Sequence, residues 1–400
     1  MNFSMRNFKK ILGVVIAVAA AVIGTCCGEK NPVAPDSNCK AKFSVGENVE
    51  WNTASQFVVI TAPATQKWTA RVEDDWAWFD YEDYHYYTQG QGNGSVALYI
   101  ASNGASSKRT TTVEVEFEGT TTVTLTLTQG AFVQEEAPEI DYEQTSWPEM
   151  PLVKENDGNL YVTHMTKANG KTMRNYSMCY DPDVKAALWI AYPLHKCYTR
   201  KAVDRTDAWS YDPHPLIHSE YQVNMAKGMG NGYDRGHQIP SADRLASYDM
   251  NAQTFYYTNM TAQVGAMNQG IWNNLENMIR NEWVCSDTLY VVTGCVMTTA
   301  SDPNVQWVNN SNGGKVAVPK AYFKVMLRTK DGDTGKAVDN SNATAIGFWY
   351  ENRSYGNINP RESDVKSVDE IERLTGFTFF PQISDEIKEI KDGERWFQNM

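Results

Sequence analysis

Between residues 41 and 131 the chain passes through five short runs: "FVVITA", "KWTARV", "SVALYI", "TTTVEVEF" and "TTTVTLTLTQG". Each is rich in Thr and Val, and Gly, Asn and Ser clusters separate them. Apolar and polar residues alternate along them, which gives a strand one buried and one solvated face. Repeated runs of this length predict an all-β sandwich of immunoglobulin type over 41–131.

The pattern changes after that segment. Residues 132–150 hold six acids and no base, carry two prolines and show no sustained periodicity, so they read as a linker. From 151 to 400 strands and helices mix, which predicts an α+β domain. "NYSMCY", "AALWIAYPL", "TFYYTNM", "TLYVVTG" and "AYFKVML" read as strands. Residues 267–283 read as a helix, because Met267, Ile271, Leu275, Met278 and Ile279 recur at three- and four-residue steps. Ser367 followed by Glu370 marks the start of a second, shorter helix through a capping box. The net charge of −12 is spread so that no region beyond the leader is basic. Bulk attraction to a polyanion is therefore excluded, and an anionic substrate needs a local site.

Residues 1–27 carry Arg6, Lys9 and Lys10, then the apolar run "ILGVVIAVAAAVIGT", then Cys26 and Cys27. The run is short for a membrane span and fits an export signal. It resembles a bacterial lipoprotein signal. That resemblance implies lipidation at Cys26 or Cys27 and attachment in the cell envelope, at the outer membrane or cell surface. Ile23 three residues earlier favours Cys26. The following "GEKNPVAPDSN" has the composition of a tether. Export makes disulfides permissible among the other five cysteines. A hairpin would bring Cys179 toward Cys197, whereas the extended run between Cys285 and Cys295 keeps those two apart.

The chemistry concentrates in "YDRGHQIPSADR", residues 233–244. A histidine titrates near neutrality and serves as a general base. Arg235 brings a forked cation suited to phosphate oxygens, and Gly236 permits close backbone approach. Such a cluster alone also reads as a structural salt bridge. Downstream, "TNMTAQVGAMNQGIWNNLE" supplies Asn259, Asn268 and Glu276. On a helix, Asn268 and Glu276 stand about 80° apart at about 100° per residue, so they can face one cleft. An amide oxygen beside a carboxylate suits a hard, hydrated Mg²⁺, although Asn268 near a helix start also reads as a cap.

Taken together, the DRGH box, "SADR", "TNM", "NQGIWNNLE", "DTLYVVTG" and "SVDEIERLTGFTFFP" resemble the DNA/RNA non-specific endonucleases, the ββα-metal nucleases. The resemblance spans roughly 160–390. It implies His237 as general base, Asn268 as the direct protein ligand of Mg²⁺ (Mn²⁺ as a substitute), and Glu276 holding a metal-bound water. It also implies phosphate contacts from Arg235, Arg280 and the upstream Arg205, and support of the histidine and metal site by Asn259. DNA and RNA are the implied substrates. The front segment, through "WTARVEDDWAWFDY", "IASNGASSKRTTTVEVEF" and "VTLTLTQGA", resembles a BACON domain, which implies a glycan ligand. Trp68 and Trp76 read as core, while Trp78, Tyr81, Tyr84, Tyr86 and Tyr87 are open to either core or sugar-stacking roles.

Two function classes compete. One is an exported metal-dependent endonuclease. The other is a glycan-binding surface lipoprotein with an inert nuclease-like domain, against which the joint presence of His237, Asn268 and Glu276 argues. A glycosidase lacks a recognisable carboxylate pair. The leader gives the first prediction: a Cys26→Ala, Cys27→Ala double variant should leave the membrane pellet for the soluble fraction on cell fractionation. Retention in the pellet contradicts the lipid anchor.

Overall fold

The computed structural model describes residues 38–80, 83–137, 140–142, 146–168, 170–310 and 313–398. The leader with Cys26 and Cys27, and Tyr81, lie outside the described residues.

The alternating front runs form strands. In order they are β1 (Lys40–Phe43), β2 (Asn48–Val49), β3 (Ser55–Thr61), β4 (Lys67–Val72), β5 (Ala77–Trp78), β6 (Tyr87–Gln91), β7 (Gly94–Ile100), β8 (Arg109–Phe117) and β9 (Thr122–Gln129). They make two sheets, β1-β3-β7-β5 and β2-β9-β8-β4-β6. The inward positions close one core: Val58, Ile60, Leu98 and Ile100 meet Ala70, Val113, Val115 and Leu127. Trp68 belongs to it, and its indole donates to the Gly92 carbonyl at 2.9 Å. Trp76 is half-buried against the same core. The two sheets therefore bury the alternate residues that the sequence pattern marks, as a sandwich must.

The second unit is built on a six-stranded antiparallel sheet. Its strands are β10 (Leu160–Ala168), β11 (Lys171–Asp181), β12 (Ala186–Leu194), β15 (Leu289–Val296), β18 (Ala321–Thr329) and β19 (Ala343–Glu351), paired in that order. Between β12 and β15 the chain makes a separate two-stranded ribbon, β13 (Tyr233–His237) with β14 (Met260–Val264), and β16 (Trp307–Asn309) pairs β17 (Lys315–Ala317). A helix over residues 265–283 follows β14 directly and packs on one face of the large sheet. Ile271, Leu275, Met278 and Ile279 meet Ile190, Val291, Met326 and Ile346 there. The opposite face is covered by the helix Val368–Thr375 and by Phe379 and Phe380. Every residue of β18 is buried as a result, which is why "AYFKVML" shows no alternation.

Several expectations change. "TFYYTNM" is not a strand until its last residue. Residues Gln253–Phe255 and Tyr257–Asn259 are 3₁₀ turns, pinned by Thr254 Oγ1 donating to the Asn251 carbonyl and Asn259 Nδ2 to the Thr254 carbonyl. The helix starts at Gly265, two residues early, and is not uniform. Asn268–Trp272 and Ile279–Trp283 are wider π turns, and Gly270 leaves helical geometry at φ −103°, ψ −117°. A Cβ on Gly270 would lie 2.7 Å from the Gly356 carbonyl, so the kink accommodates a close backbone approach. The capping box at Ser367 forms as expected, with Ser367 Oγ accepting from Glu370 N at 3.1 Å. All five described cysteines are free. The β11–β12 hairpin exists, but its register sets Cys179 opposite Trp189, while Cys197 lies beyond the end of β12.

The two units touch. Ser102 Oγ shares a hydrogen bond with Tyr257 Oη at 3.2 Å, and Trp78 packs with Ala226. Lys227 sits over the Trp78 and Tyr86 rings and donates to Tyr86 Oη at 3.0 Å. In the acidic stretch 132–150, Glu149 is buried in an ion pair with Arg174.

Gly236 shows how tightly the ribbon is packed. A Cβ there would fall 2.6 Å from Gln263 Cβ. Gly236→Ala should therefore destabilise the fold by about 1–3 kcal/mol, the usual cost of overpacking. Thermal melting checks this, and an unchanged midpoint would contradict it.

Candidate active site

β13 presents the box as an extended ribbon in which His237 pairs Met260 and Arg235 pairs Ala262. Residues two apart on a strand share a face, so Arg235 and His237 point the same way. They line a cleft of about 600 Å³ with Arg205, Asn268, Glu276 and Arg280. Six of the seven predicted site residues thus converge.

Asn259 does not line the cleft. Its Oδ1 accepts from Ile239 N at 3.0 Å, and its Nδ2 donates to the carbonyls of Ile239 and Thr254. Its carbonyl accepts from Gln238 N. It braces the backbone just beyond His237 and bonds neither the ring nor Asn268, which narrows the expected support to the histidine side.

The His237 ring is held edge-on between Trp209, at 5.5 Å, and Phe255, at 5.1 Å. Burial and the neighbouring Arg205 and Arg235 cations push its pKa down to about 3, against a weaker upward pull from its hydrogen bond to the Arg235 backbone. The imidazole is therefore neutral at neutral pH. Nε2 has no hydrogen-bond partner among the described residues. A neutral ring with an uncommitted nitrogen can accept a proton.

Both nearby arginines are anchored on one side. Arg235 Nη1 donates to the Met225 and Ala226 carbonyls at 2.9 and 2.8 Å, and its guanidinium lies 3.7 Å from the Trp209 ring centroid. Arg205 Nε donates to Asp207 Oδ1 at 2.8 Å and Nη1 to Ser241 Oγ at 3.0 Å. Such fixing leaves planar cations with donors to spare for phosphate oxygens.

Across the cleft, Asn268 Nδ2 donates to Asp234 Oδ2 at 2.9 Å, as does Gln269 Nε2. Asn268 has helical backbone angles, and the cap position falls at Val264, which makes no side-chain cap bond. The capping role is thus set aside. With its nitrogen committed to Asp234, the amide offers oxygen, a donor that a hard divalent cation accepts. The π turns and the Gly270 break alter the expected angle between Asn268 and Glu276, yet both still reach the same cleft.

Glu276 is 14% exposed. Its pKa is pushed up to about 7 by burial, with Lys324 and Arg280 pulling down and Asp243 pushing up. Arg280 Nε donates to Asp243 Oδ1 at 2.7 Å, and the Tyr192 hydroxyl donates to Asp243 Oδ2. "SADR" is therefore a support: Ser241 holds Arg205, Asp243 holds Arg280, and buried Arg244 ties down Asn175 and the Pro193 carbonyl. Asp234, Trp209, Asp243 and Lys324 also support the site, and the motifs assign none of them a role. The box itself displayed Asp234 and "SADR" displayed Asp243. Lys324 showed only as a lone cation in "AYFKVML".

Residues 156–386 match the family described as DNA/RNA non-specific endonuclease. The chain belongs to this family. The nuclease is 32% identical over 238 residues to a Nostoc protein named nuclease, spanning 59% of this chain and 82% of that one. It is 30% identical over 223 residues to human mitochondrial endonuclease G, spanning 53% and 70%. Nuclease C1 of Cunninghamella echinulata is 30% identical over 215 residues, spanning 52% and 81%. A crystal structure of an EndoG/EndoGI complex aligns with a TM-score of 0.41 at 23% identity, covering 56% of this chain and 89% of the other. The nuclease is a hydrolase acting on nucleic acids.

The site makes a sharp statement about His237. Its depressed pKa means that the ring stays neutral as pH falls through 6.5 and protonates only far below it. NMR titration of the His237 ring should show no imidazolium above about pH 5, given an ordinary histidine near 6.5. A transition near 6.5 would contradict the burial and the paired arginines as described.

Proposed function

We propose that this nuclease is an exported endonuclease that uses Mg²⁺ and cleaves both DNA and RNA. The observation that carries the reading is the cleft in which neutral His237 faces two fixed arginines and the oxygen end of Asn268. His237 Nε2 takes the proton from the attacking water. Arg235 and Arg205 bind the non-bridging phosphate oxygens, and Arg280, held by Asp243, adds positive charge at the Glu276 end. Asn268 would hold the cation through its amide oxygen, and Glu276, which lines the same cleft, would accept hydrogen bonds from the cation's waters. The bound Mg²⁺ supplies charge neutralisation on the phosphate and the departing oxygen. Asp234 keeps the Asn268 amide turned oxygen-outward.

These groups address phosphate, which DNA and RNA share. None is placed by this reading against a base edge or a 2′-hydroxyl. The local arginines also offset the overall acidity of the chain, so recognition comes from the cleft and not from net charge.

The front sandwich we read as immunoglobulin-like and of BACON type, behind a lipid anchor at the bacterial cell envelope. Its sugar-stacking candidates contract, because Trp78 is buried and Tyr84 packs half-buried against it. Tyr86 and Tyr87, 42% and 53% exposed, remain as the surface that a glycan would meet.

The test is digestion of supercoiled plasmid and of RNA. The wild-type protein should nick both in Mg²⁺ and stop on addition of EDTA. His237→Ala should lose about 10²–10⁴-fold in rate, the usual contribution of a general base. Asn268→Ala should lose rate steeply while its melting point and DNA affinity change little. Inactive wild-type protein would favour the inert, glycan-binding alternative. Near-normal turnover by Asn268→Ala would remove the proposed ligand.

A further inference from the structure

β18 crosses the middle of the large sheet with both faces covered. On the side facing the site helix, Tyr322 and Met326 belong to the apolar core. Lys324 stands between them and is 0% exposed. Its Nζ donates to Thr293 Oγ1 at 3.0 Å and lies 4.5 Å from the Trp272 ring centroid. Glu276 Oε1 is 3.7 Å away, the one ion pair that Lys324 makes among the described residues. An ammonium buried this deeply is costly unless a carboxylate answers it, and an apolar side chain of similar volume often serves stability as well or better.

The surroundings of Glu276 show what the lysine answers. Arg280, four residues on along the same helix, faces it but is already bonded to Asp243 through Nε and to Asn277 through Nη1. Asp243, on the turn after β13, adds negative charge close by, and Tyr192 from β12 is bonded to Asp243 rather than to Glu276. Lys324 approaches Glu276 from β18 of the sheet, and Glu276 is its nearest acid, with Asp243 adding a weaker attraction.

We propose that Lys324 is a positioning residue for Glu276: it favours the ionised form of the carboxylate and holds it at the cleft wall. This rests on the reading of Glu276 as a group that must be charged to work. Burial alone favours the protonated acid, and an opposite charge within about 4–6 Å typically moves a carboxyl pKa by about 1–3 units. Without the ammonium Glu276 holds its proton to higher pH, so the acid limb of the rate moves to higher pH as well.

Lys324→Met removes the charge and keeps most of the volume. In the full chain, with plasmid as substrate, the acid limb of its pH–rate profile should shift upward by about 1 unit or more. Half-maximal rate should need more Mg²⁺, and activity should partly recover at alkaline pH. A folded variant with the wild-type profile and Mg²⁺ dependence overturns the proposal, as does a rate lowered equally at every pH and Mg²⁺ concentration.

Thermal melts without added metal give a second readout, which holds even if Lys324→Met folds poorly. Glu276→Gln strands a buried ammonium, and Lys324→Met strands a buried acid. The double variant should therefore melt higher than either single variant. Additive losses overturn the pairing. Glu276→Gln at the wild-type rate, with non-additive melts, would instead overturn the role of Glu276 itself and leave Lys324 a structural partner.

Discussion

The pairing of β13 with β14 is the constraint on which the cleft depends. Its register sets His237 opposite Met260, and the site helix starts as soon as β14 ends. His237 and the helix that carries Asn268 and Glu276 are thus fixed to each other by backbone hydrogen bonds. A loop could not hold them so closely. Gly236 lets the Gln263 side chain lie flat over the ribbon. Asn259 closes the end of it, and Asp234 reaches from the strand to the helix to orient Asn268. A polar sequence such as YDRGH would not form a strand by propensity. It does so here because its partner strand is wholly apolar or buried and the alternative would leave backbone groups unpaired.

Electrostatics in the cleft follow one rule: each charge is tied on one side and open on the other. Arg235 leans on two carbonyls and an indole, Arg205 on Asp207 and Ser241, Arg280 on Asp243, and Glu276 on Lys324. The cations crowd His237 enough to keep it neutral, which is the form a base requires. The acidic total of the chain has no part in this, since charge acts here over a few ångströms inside a desolvated wall.

Much of this was legible because it is local. Alternating Thr and Val runs became β3, β4, β7, β8 and β9, and the Ser367 capping box became a helix start. The helix carrying Asn268 and Glu276 was readable from its apolar spacing, and the residues of the site from their motifs. Elements that depend on distant partners were not. β10 and β19 carry no strong pattern, and "TFYYTNM" has strand-like composition but turns because side-chain amides and hydroxyls capture its backbone. The supporting shell was hidden for the same reason. Asp243 meets Arg280 across 37 residues, and Lys324 meets Glu276 across 48, and no window of sequence displays either pair.

The loop holding Met225 and Ala226 belongs to both halves of the molecule. Its carbonyls fix Arg235, Ala226 lies against Trp78, and Lys227 spans Trp78 and Tyr86. The sandwich is therefore not an interchangeable cargo. Swapping it for another module, or cutting the chain to the matched segment alone, would expose an apolar seam and unsettle the cradle of Arg235 in the cleft. Domain shuffling at this junction has to carry the seam with it, so inheritance of the two parts as one unit is favoured by packing alone.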